Sequence, residues 1–345
     1  GNYEWQALYG SGYNYAFNSN KSNGLAMTTF SNYALEWEET AITNIGLDFG
    51  VLNNRLNGTI EVYDKKTDGI LYRPTLPESL NQFTSPLQNL AGVNNKGLEI
   101  TLGWNDRVGD ISYSVSGNFT YNKNKVTKYK GELVREWRTD ANGKKVWYQN
   151  VGTVANGSSN LIVEGHEMNE YYMMNPYKGN GSYFNSDGTV NINGGPKDGM
   201  IRTEADMKWL QAMFDAGYKF YPNQAIGKDK IWYGDMIYAD YNGDGIYGND
   251  DDRDFQGVSW RPKYYFGLQA SMTWKGFDLS MNWAGAAGFK IDYYKQTQNS
   301  VSVTHGYGLG YDIAYDHYFF DPENPNDPRT NIYSETPRLD RKSTR

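Results

Sequence analysis

"YYFGLQASMTWKGFDLSMNW", residues 264–283, alternates in the same way on both sides of one dipeptide. Before Lys275-Gly276, the residues Tyr264, Phe266, Leu268, Ala270, Met272 and Trp274 share a face, and after it Phe277, Leu279, Met281 and Trp283 do the same. Gln269, Ser271, Thr273, Asp278, Ser280 and Asn282 fall on the other face. A period of two around a Lys-Gly turn predicts a β-hairpin that is apolar on one side and small and polar on the other.

The pattern occurs twice more. Ile45, Leu47, Phe49 and Val51 alternate with Asn44, Gly46, Asp48 and Gly50; after Asn53-Asn54, Leu56, Gly58, Ile60 and Val62 alternate with Asn57, Thr59, Glu61 and Tyr63. Leu98, Ile100, Leu102 and Trp104 face away from Glu99, Thr101 and Gly103. After "NDRVGD", residues 105–110, Ile111, Tyr113, Val115, Phe119 and Tyr121 oppose Ser112, Ser114, Ser116, Asn118 and Thr120. Such strands suit either a soluble β-sandwich with its apolar face inward or a membrane β-barrel with that face outward. Aromatic residues end the apolar faces, at Trp104, Tyr121, Tyr264, Trp274 and Trp283, as expected where strands cross the two edges of a bilayer. Short turns alternate with long excursions over residues 64–95, 123–262 and from 285 onward. That asymmetry, with strands long enough for a tilted crossing of about 9 to 11 residues, favours an all-β, antiparallel transmembrane barrel segment.

Composition agrees. The 345 residues hold 38 Gly, 30 Tyr, 14 Phe and 10 Trp, a mixture that favours strands and turns over helices. A formal charge of −7 without basic clusters argues against nucleic acid as a partner. The absence of cysteine removes disulfides, thiolate catalysis and Cys-ligated zinc. No apolar run reaches the roughly 18 residues of a membrane helix, which leaves a barrel open. Gly1 begins no secretory leader, which fits cytosolic residence or a mature or truncated chain.

The excursion over 123–262 is too long to lack structure. Asn142-Gly143 and Asp187-Gly188 predict two small hairpins, and "RTEADMKWLQAMFDAGYK" predicts a helix capped by Thr203, with Asp206 at its third position, a Met207, Leu210 and Phe214 stripe, and Gly217 as terminator. "ADYNGDGIYGNDDD", residues 239–252, has the oxygen spacing of a calcium loop: Asp240, Asn242, Asp244, the turn glycine Gly245, the Ile246 carbonyl and Asp251. Gly248 leaves one corner to water, and Asp252 competes with Asp251 for the last ligand. Calcium there is expected to staple the loop; an acidic surface turn without metal is the plainer reading.

"NYALEWEETAITNIGLDFGVLNNRLNGTIEVYDKKTDGIL", "NKGLEITL", "DYNGDGIYGNDDDR", "RPKYYFGLQASMTWKGFDLSMNWAGAAG" and "DPENPNDPRTNIYSETPRL" resemble, in this order, blocks of the SusC-like TonB-dependent outer-membrane transporters. The resemblance implies an internal piece of the C-terminal half of a plugged barrel of about 22 strands, six of them present. It also implies uptake of an oligosaccharide, or in some members a peptide, across the outer membrane of a Gram-negative bacterium. Further implied are a SusD-like surface lipoprotein as a lid, the TonB complex acting through a plug not present here, and long loops outside the cell. On that reading residues 1–39 are an extracellular loop, 40–122 barrel strands with a loop at 64–95, and 123–262 the long extracellular loop. Residues 263–290 are a barrel hairpin and 291–345 an incomplete extracellular loop.

Polar-face residues Asp48, Glu61, Glu99, Asn118 and Gln269 are candidates for a wet lumen, or equally for contact with the plug. Trp137, Trp147, Tyr148, Trp209, Trp232 and Tyr233 have flat faces that suit sugar rings, while loop packing or contact with the lid is their ordinary use. Two alternatives remain: a secreted calcium-stapled glycan-binding β-sandwich, and a glycoside hydrolase. The second has little support, because no Ser-His-Asp order or phosphate loop is present and His166, His305 and His317 lack metal-ligand spacing.

Overall fold

Six long strands carry the alternating stretches: β5 (Glu39–Val51), β6 (Leu56–Tyr72), β7 (Gln88–Val108), β8 (Ile111–Lys128), β16 (Tyr264–Trp274) and β17 (Phe277–Ala287). They form one antiparallel sheet in the order β17-β16-β8-β7-β6-β5. The computed structural model describes residues 3–17, 19–74, 76, 78–80, 83–157, 159–291 and 311–339. His305 and parts of the expected final loop, 292–310 and 340–345, lie outside the described residues.

The register keeps the alternating apolar residues of neighbouring strands on one face. Leu47 pairs with Ile60, Ile60 with Ile100, Ile100 with Phe119, and Phe119 with Phe266. One continuous face of the sheet is therefore apolar, since a slip of one residue would reverse every side chain of a strand. That face is open: Ile45 is 70% exposed, Leu47 61%, and Trp283 51%. Among the described residues no second sheet of comparable length covers it, so the sandwich alternative lacks its second layer. The opposite face is stitched by short polar pairs, Thr59 to Asp48 at 2.6 Å, Ser114 with Ser271 at 2.7 Å, and Thr273 to Asp278 at 2.7 Å.

Turn chemistry closes the hairpins at one end. Lys275 and Gly276 have φ of 45° and 84°, the two left-handed residues of a tight hairpin turn. Strands β7 and β8 run farther than the sequence pattern predicts and meet at Gly109-Asp110, so the expected six-residue turn at 105–110 is a two-residue one. At the other end the strands are also longer than expected. β6 reaches Tyr72 and β7 starts at Gln88, which shrinks the expected 64–95 loop to residues 73–87. Backbone pairing extends past the alternating stretch through a register shift between Thr67 and Ile70, where Gly69 has φ of 68°.

The chain divides into two compact units, Gly1–Glu170 with Gly257–Lys290, and Tyr171–Gln256 with Ile291–Arg345. The first holds the six-stranded sheet and several small elements. β1 (Leu8–Ser11) pairs with β4 (Leu25–Thr29), β2 (Tyr15–Phe17) with β3 (Asn20–Ser22), and β9 (Arg135–Thr139) with β10 (Lys145–Gln149); β11 (Asn160–Leu161) follows. The β9–β10 pair is the hairpin expected around Asn142-Gly143.

In the second unit β12 (Glu170–Met174) pairs with β15 (Arg253–Phe255) and β13 (Lys219–Phe220) with β14 (Ile246–Tyr247). Its helix spans Glu204–Asp215 with a complete capping box between Thr203 and Asp206. The buried stripe is Trp209, Leu210 and Met213, with Met207 and Phe214 packed beside it. The stripe centres one residue away from the predicted one, and Trp209 takes the ordinary packing role expected of these aromatics, fully buried with its indole N–H donating to the Asn191 carbonyl at 2.9 Å.

Candidate functional site

A polar network ties together the chain segments where the long excursion leaves and rejoins the first unit. Ser259, wholly buried, donates to Glu167 at 2.8 Å, and Lys263 pairs with the other Glu167 oxygen at 2.9 Å. Glu170, 4% exposed, accepts from the Gly257 N–H at 2.5 Å, from the Glu167 N–H at 3.2 Å, and pairs with His166 at 3.1 Å. Burial works to raise the Glu170 carboxyl, yet the bonds from His166 and Gly257 hold it below the usual carboxylate value. Of these residues sequence reasoning noted only His166. "HEMNE" does show two acids three residues apart, but their partners lie some ninety positions on.

The calcium-like loop folds through its own side chains. Asp240 accepts the N–H groups of Gly243 at 2.7 Å, Asp244 at 3.2 Å and Gly245 at 2.8 Å, and Asp244 accepts the Ile246 N–H at 2.7 Å. Asn242 accepts the Asp244 N–H at 3.0 Å. The acid drawn into the protein at the end of the loop is Asp252, 1% exposed, in place of the expected Asp251. Asp252 accepts the Tyr241 N–H at 2.7 Å and the Asn249 N–H at 3.0 Å, while Asp251 gives its N–H to Asn249. Hard oxygens at these positions suit calcium in kind. Among the described residues, however, no three His, Cys, Asp or Glu side chains converge as a metal cluster. A cation here would therefore draw on the Asn242 amide and the Ile246 carbonyl as well as the acids.

The remaining candidate aromatics fall into two groups. Trp137 and Trp147 are directly paired across β9 and β10, with ring centroids 5.7 Å apart and edge to face. Tyr148 points to the opposite face of that hairpin, where the Arg138 guanidinium lies 3.5 Å from its ring centroid. The three do not form one platform, because strand alternation separates Tyr148 from the two tryptophans.

Trp232 and Tyr233 belong to the second unit and line a cleft of about 310 Å³ with His317, Phe320, Asp321 and Lys228. Tyr233 packs edge-on against both Trp232 and Phe320, at 5.2 and 5.1 Å. Arg338 holds one wall: it pairs with Asp235 at 2.6 and 2.8 Å and donates to the carbonyls of Lys228 and Lys230. Buried Tyr318 donates to the Arg202 carbonyl at 2.7 Å, and Arg202 reaches the carbonyls of Ile332 and Ser334. Sequence reasoning named the two aromatics but not the "HYFFDP" segment opposite them, about 85 residues away in the chain.

On the polar face of the sheet Glu61 stands directly opposite Glu99, and Asn44 donates to Glu61. Like charges across a ladder disfavour pairing unless a cationic group lies near.

An antiparallel six-stranded sheet with one open apolar face, short turns at one end and long connections leaving from the other has the build of a membrane β-barrel wall. Residues 2–151 match the family described as TonB dependent receptor-like, β-barrel. Among curated proteins, the chain is 30% identical over 201 residues to TonB-dependent receptor P39 of Formosa agariphila, covering 54% of this chain and 19% of that protein. It is 35% identical over 133 residues to TonB-dependent receptor SusC of Bacteroides thetaiotaomicron, covering 36% of this chain and 13% of that one. Among solved structures, the RagAB peptide transporter superposes on 99% of this chain and 30% of its own, with a TM-score of 0.60 at 19% identity. Residues 2–151 therefore share the likeness to the TonB-dependent receptor β-barrels, and the chain, similar over part of its length to SusC, spans no more than about a fifth of the curated relatives it matches.

Proposed function

We propose that the chain is part of the wall and extracellular excursion of a TonB-dependent outer-membrane importer of oligosaccharides. The observation that carries this reading is the apolar face running without interruption across six strands of a chain related to SusC. That face meets the lipid bilayer, and the polar face meets the lumen and the plug. The long loops lie outside the cell, under a SusD-like surface lipoprotein that closes over the barrel, and the TonB complex supplies energy through the plug. The role is transport without catalysis. Peptide cargo is the second reading, favoured by the fold-level likeness to a complex described as a peptide transporter.

Calcium is part of the proposal: Asp240, Asn242, Asp244 and the Ile246 carbonyl, with Asp251 or Asp252, hold the ion as a loop staple. Titration of the purified full-length protein with calcium, with and without Asp244→Ala, checks this. Heat uptake absent from the unaltered protein rules the staple out.

The main reading is tested by extracting the outer membrane with detergent and isolating the complex through an antibody to the excursion. The companion chains are then identified by mass spectrometry. A surface lipoprotein, and oligosaccharide uptake that stops when TonB is deleted, are the expected results. Uptake unchanged without TonB refutes the importer.

A further inference from the structure

We propose that the cleft between Trp232 and the segment 317–322 is a subsite for one neutral saccharide ring; the proposal rests on the importer reading above and adds a place and a charge class for the cargo. Its volume of about 310 Å³ is at the lower end of the usual range for small-molecule pockets. Half-buried Trp232 and Phe320 supply aromatic surface for the apolar faces of a sugar ring. Polar groups of both kinds surround it. His317 donates Nδ1–H to the Ile313 carbonyl at 3.0 Å, which leaves Nε2 as an acceptor. The Trp232 indole N–H has no acceptor among the described residues, and the carboxylate of Asp321 accepts the Glu323 N–H at 3.1 Å on one oxygen. A purely apolar occupant would strip these groups of water and give them nothing in return.

Charge decides between a neutral ligand and an ionic one. Arg338 is held by Asp235 at 2.6 Å, Lys228 by Glu323 at 3.4 Å, and nearby Arg329 by Asp327 at 2.8 Å. Each cation around the cleft already has its own carboxylate, so none is left uncommitted for an anionic ligand. Asp321 further disfavours anions. A hydroxyl-rich, uncharged ring satisfies the donors, the acceptors and the aromatic surface together.

The test uses the detergent-solubilised full-length transporter with its lipoprotein. Maltotriose, cellotriose, xylotriose and mannotriose are titrated calorimetrically, with trialanine as an ionic comparison. At least one trisaccharide should bind, and Trp232→Ala should weaken it about tenfold or more, the scale of a buried aromatic anchor. Asp321→Asn should weaken it as well, and it keeps the acceptor that the Glu323 N–H uses, so the local fold is retained. Saccharide binding untouched by both variants overturns the subsite while leaving the importer standing. Binding of trialanine alone, or of no probe, overturns the saccharide assignment. TonB-independent uptake strikes the importer reading instead, whatever the titrations give.

Discussion

Burial pushes the carboxyl of Asp252 up to about 6, with the charge of Asp240 adding to the rise and the Tyr241 and Asn249 N–H groups opposing it. An acid whose folded value lies above its ordinary 3.8 favours the folded loop at low pH. Its contribution is complete below the ordinary value and is lost as pH rises through the folded one, about 3 kcal/mol over the window. Hydrogen exchange at Tyr241 and Asn249, corrected for intrinsic rates, should therefore be slower at pH 5 than at pH 7.5 without calcium. Asp252→Asn should remove the difference, and equal protection in the unaltered protein would count against a buried charge. Leu52 is a second local case. It begins three consecutive left-handed residues, with φ of 54°, 56° and 61°, and unlike Asn53 and Asn54 it has no side-chain affinity for that conformation. Leu52 is also exposed, so Leu52→Asn should raise stability by up to about 1 kcal/mol, read as a higher unfolding temperature in detergent.

At the scale of elements, the Glu167 and Glu170 network and the Arg338 clamp both join distant segments through buried carboxylates. Glu170 has the opposite linkage to Asp252. Its depressed carboxyl stabilises the fold above the ordinary carboxylate range, and that contribution is lost as pH falls through its folded value. Limited proteolysis of the excursion should therefore accelerate in acid. Glu170→Gln should have the same effect at neutral pH, at a cost of about 1 to 3 kcal/mol, because the amide keeps one acceptor oxygen for the two backbone donors, Gly257 and Glu167, that the carboxylate serves. Cleavage unaffected by the substitution would show that the network does not hold the excursion. Arg338→Met should be harsher, about 3 to 5 kcal/mol by thermal unfolding, since it takes the Arg338 guanidinium away from the buried carboxylate of Asp235. Within the sheet, Gly97 is opposite Tyr63, whose ring occupies the space that a Cβ on Gly97 would need. The glycine there is a seat for the aromatic ring.

At the scale of the whole molecule the sheet is one layer, and its apolar face needs an apolar medium. Leu268→Arg on that face should reduce the folded fraction recovered in the outer membrane, costing about 2 to 4 kcal/mol if the site lies near the bilayer midplane. Gln269→Arg, one residue along and on the other face, should be far milder. A heat-modifiability gel comparing the two checks the assignment of faces, and equal damage from both would contradict it.

Strand alternation, turn dipeptides and the Thr203 capping box are local signals, and they were legible: six strands, one apolar face, and a capped helix followed from neighbours along the chain. The face of each residue was legible as well, but the register was not, because a slip of two residues keeps every face and only the folded sheet sets Leu47 beside Ile60, Ile100 beside Phe119 and Phe119 beside Phe266. Strand ends were not, since ladder hydrogen bonds continue where alternation stops. The candidate sites show the same division. Composition could nominate Trp209 and Trp232 alike, but only packing sent Trp209 into the core and left Trp232 beside a cleft. The spacing of oxygens located the calcium-like loop, yet the fold chose Asp252 over Asp251 as its inward acid. Local periodicity fixes which residues can share a face, while burial and the pairing of Glu167 with Ser259, or Arg338 with Asp235, depend on segments about 90 to 100 positions apart that only the folded chain brings together.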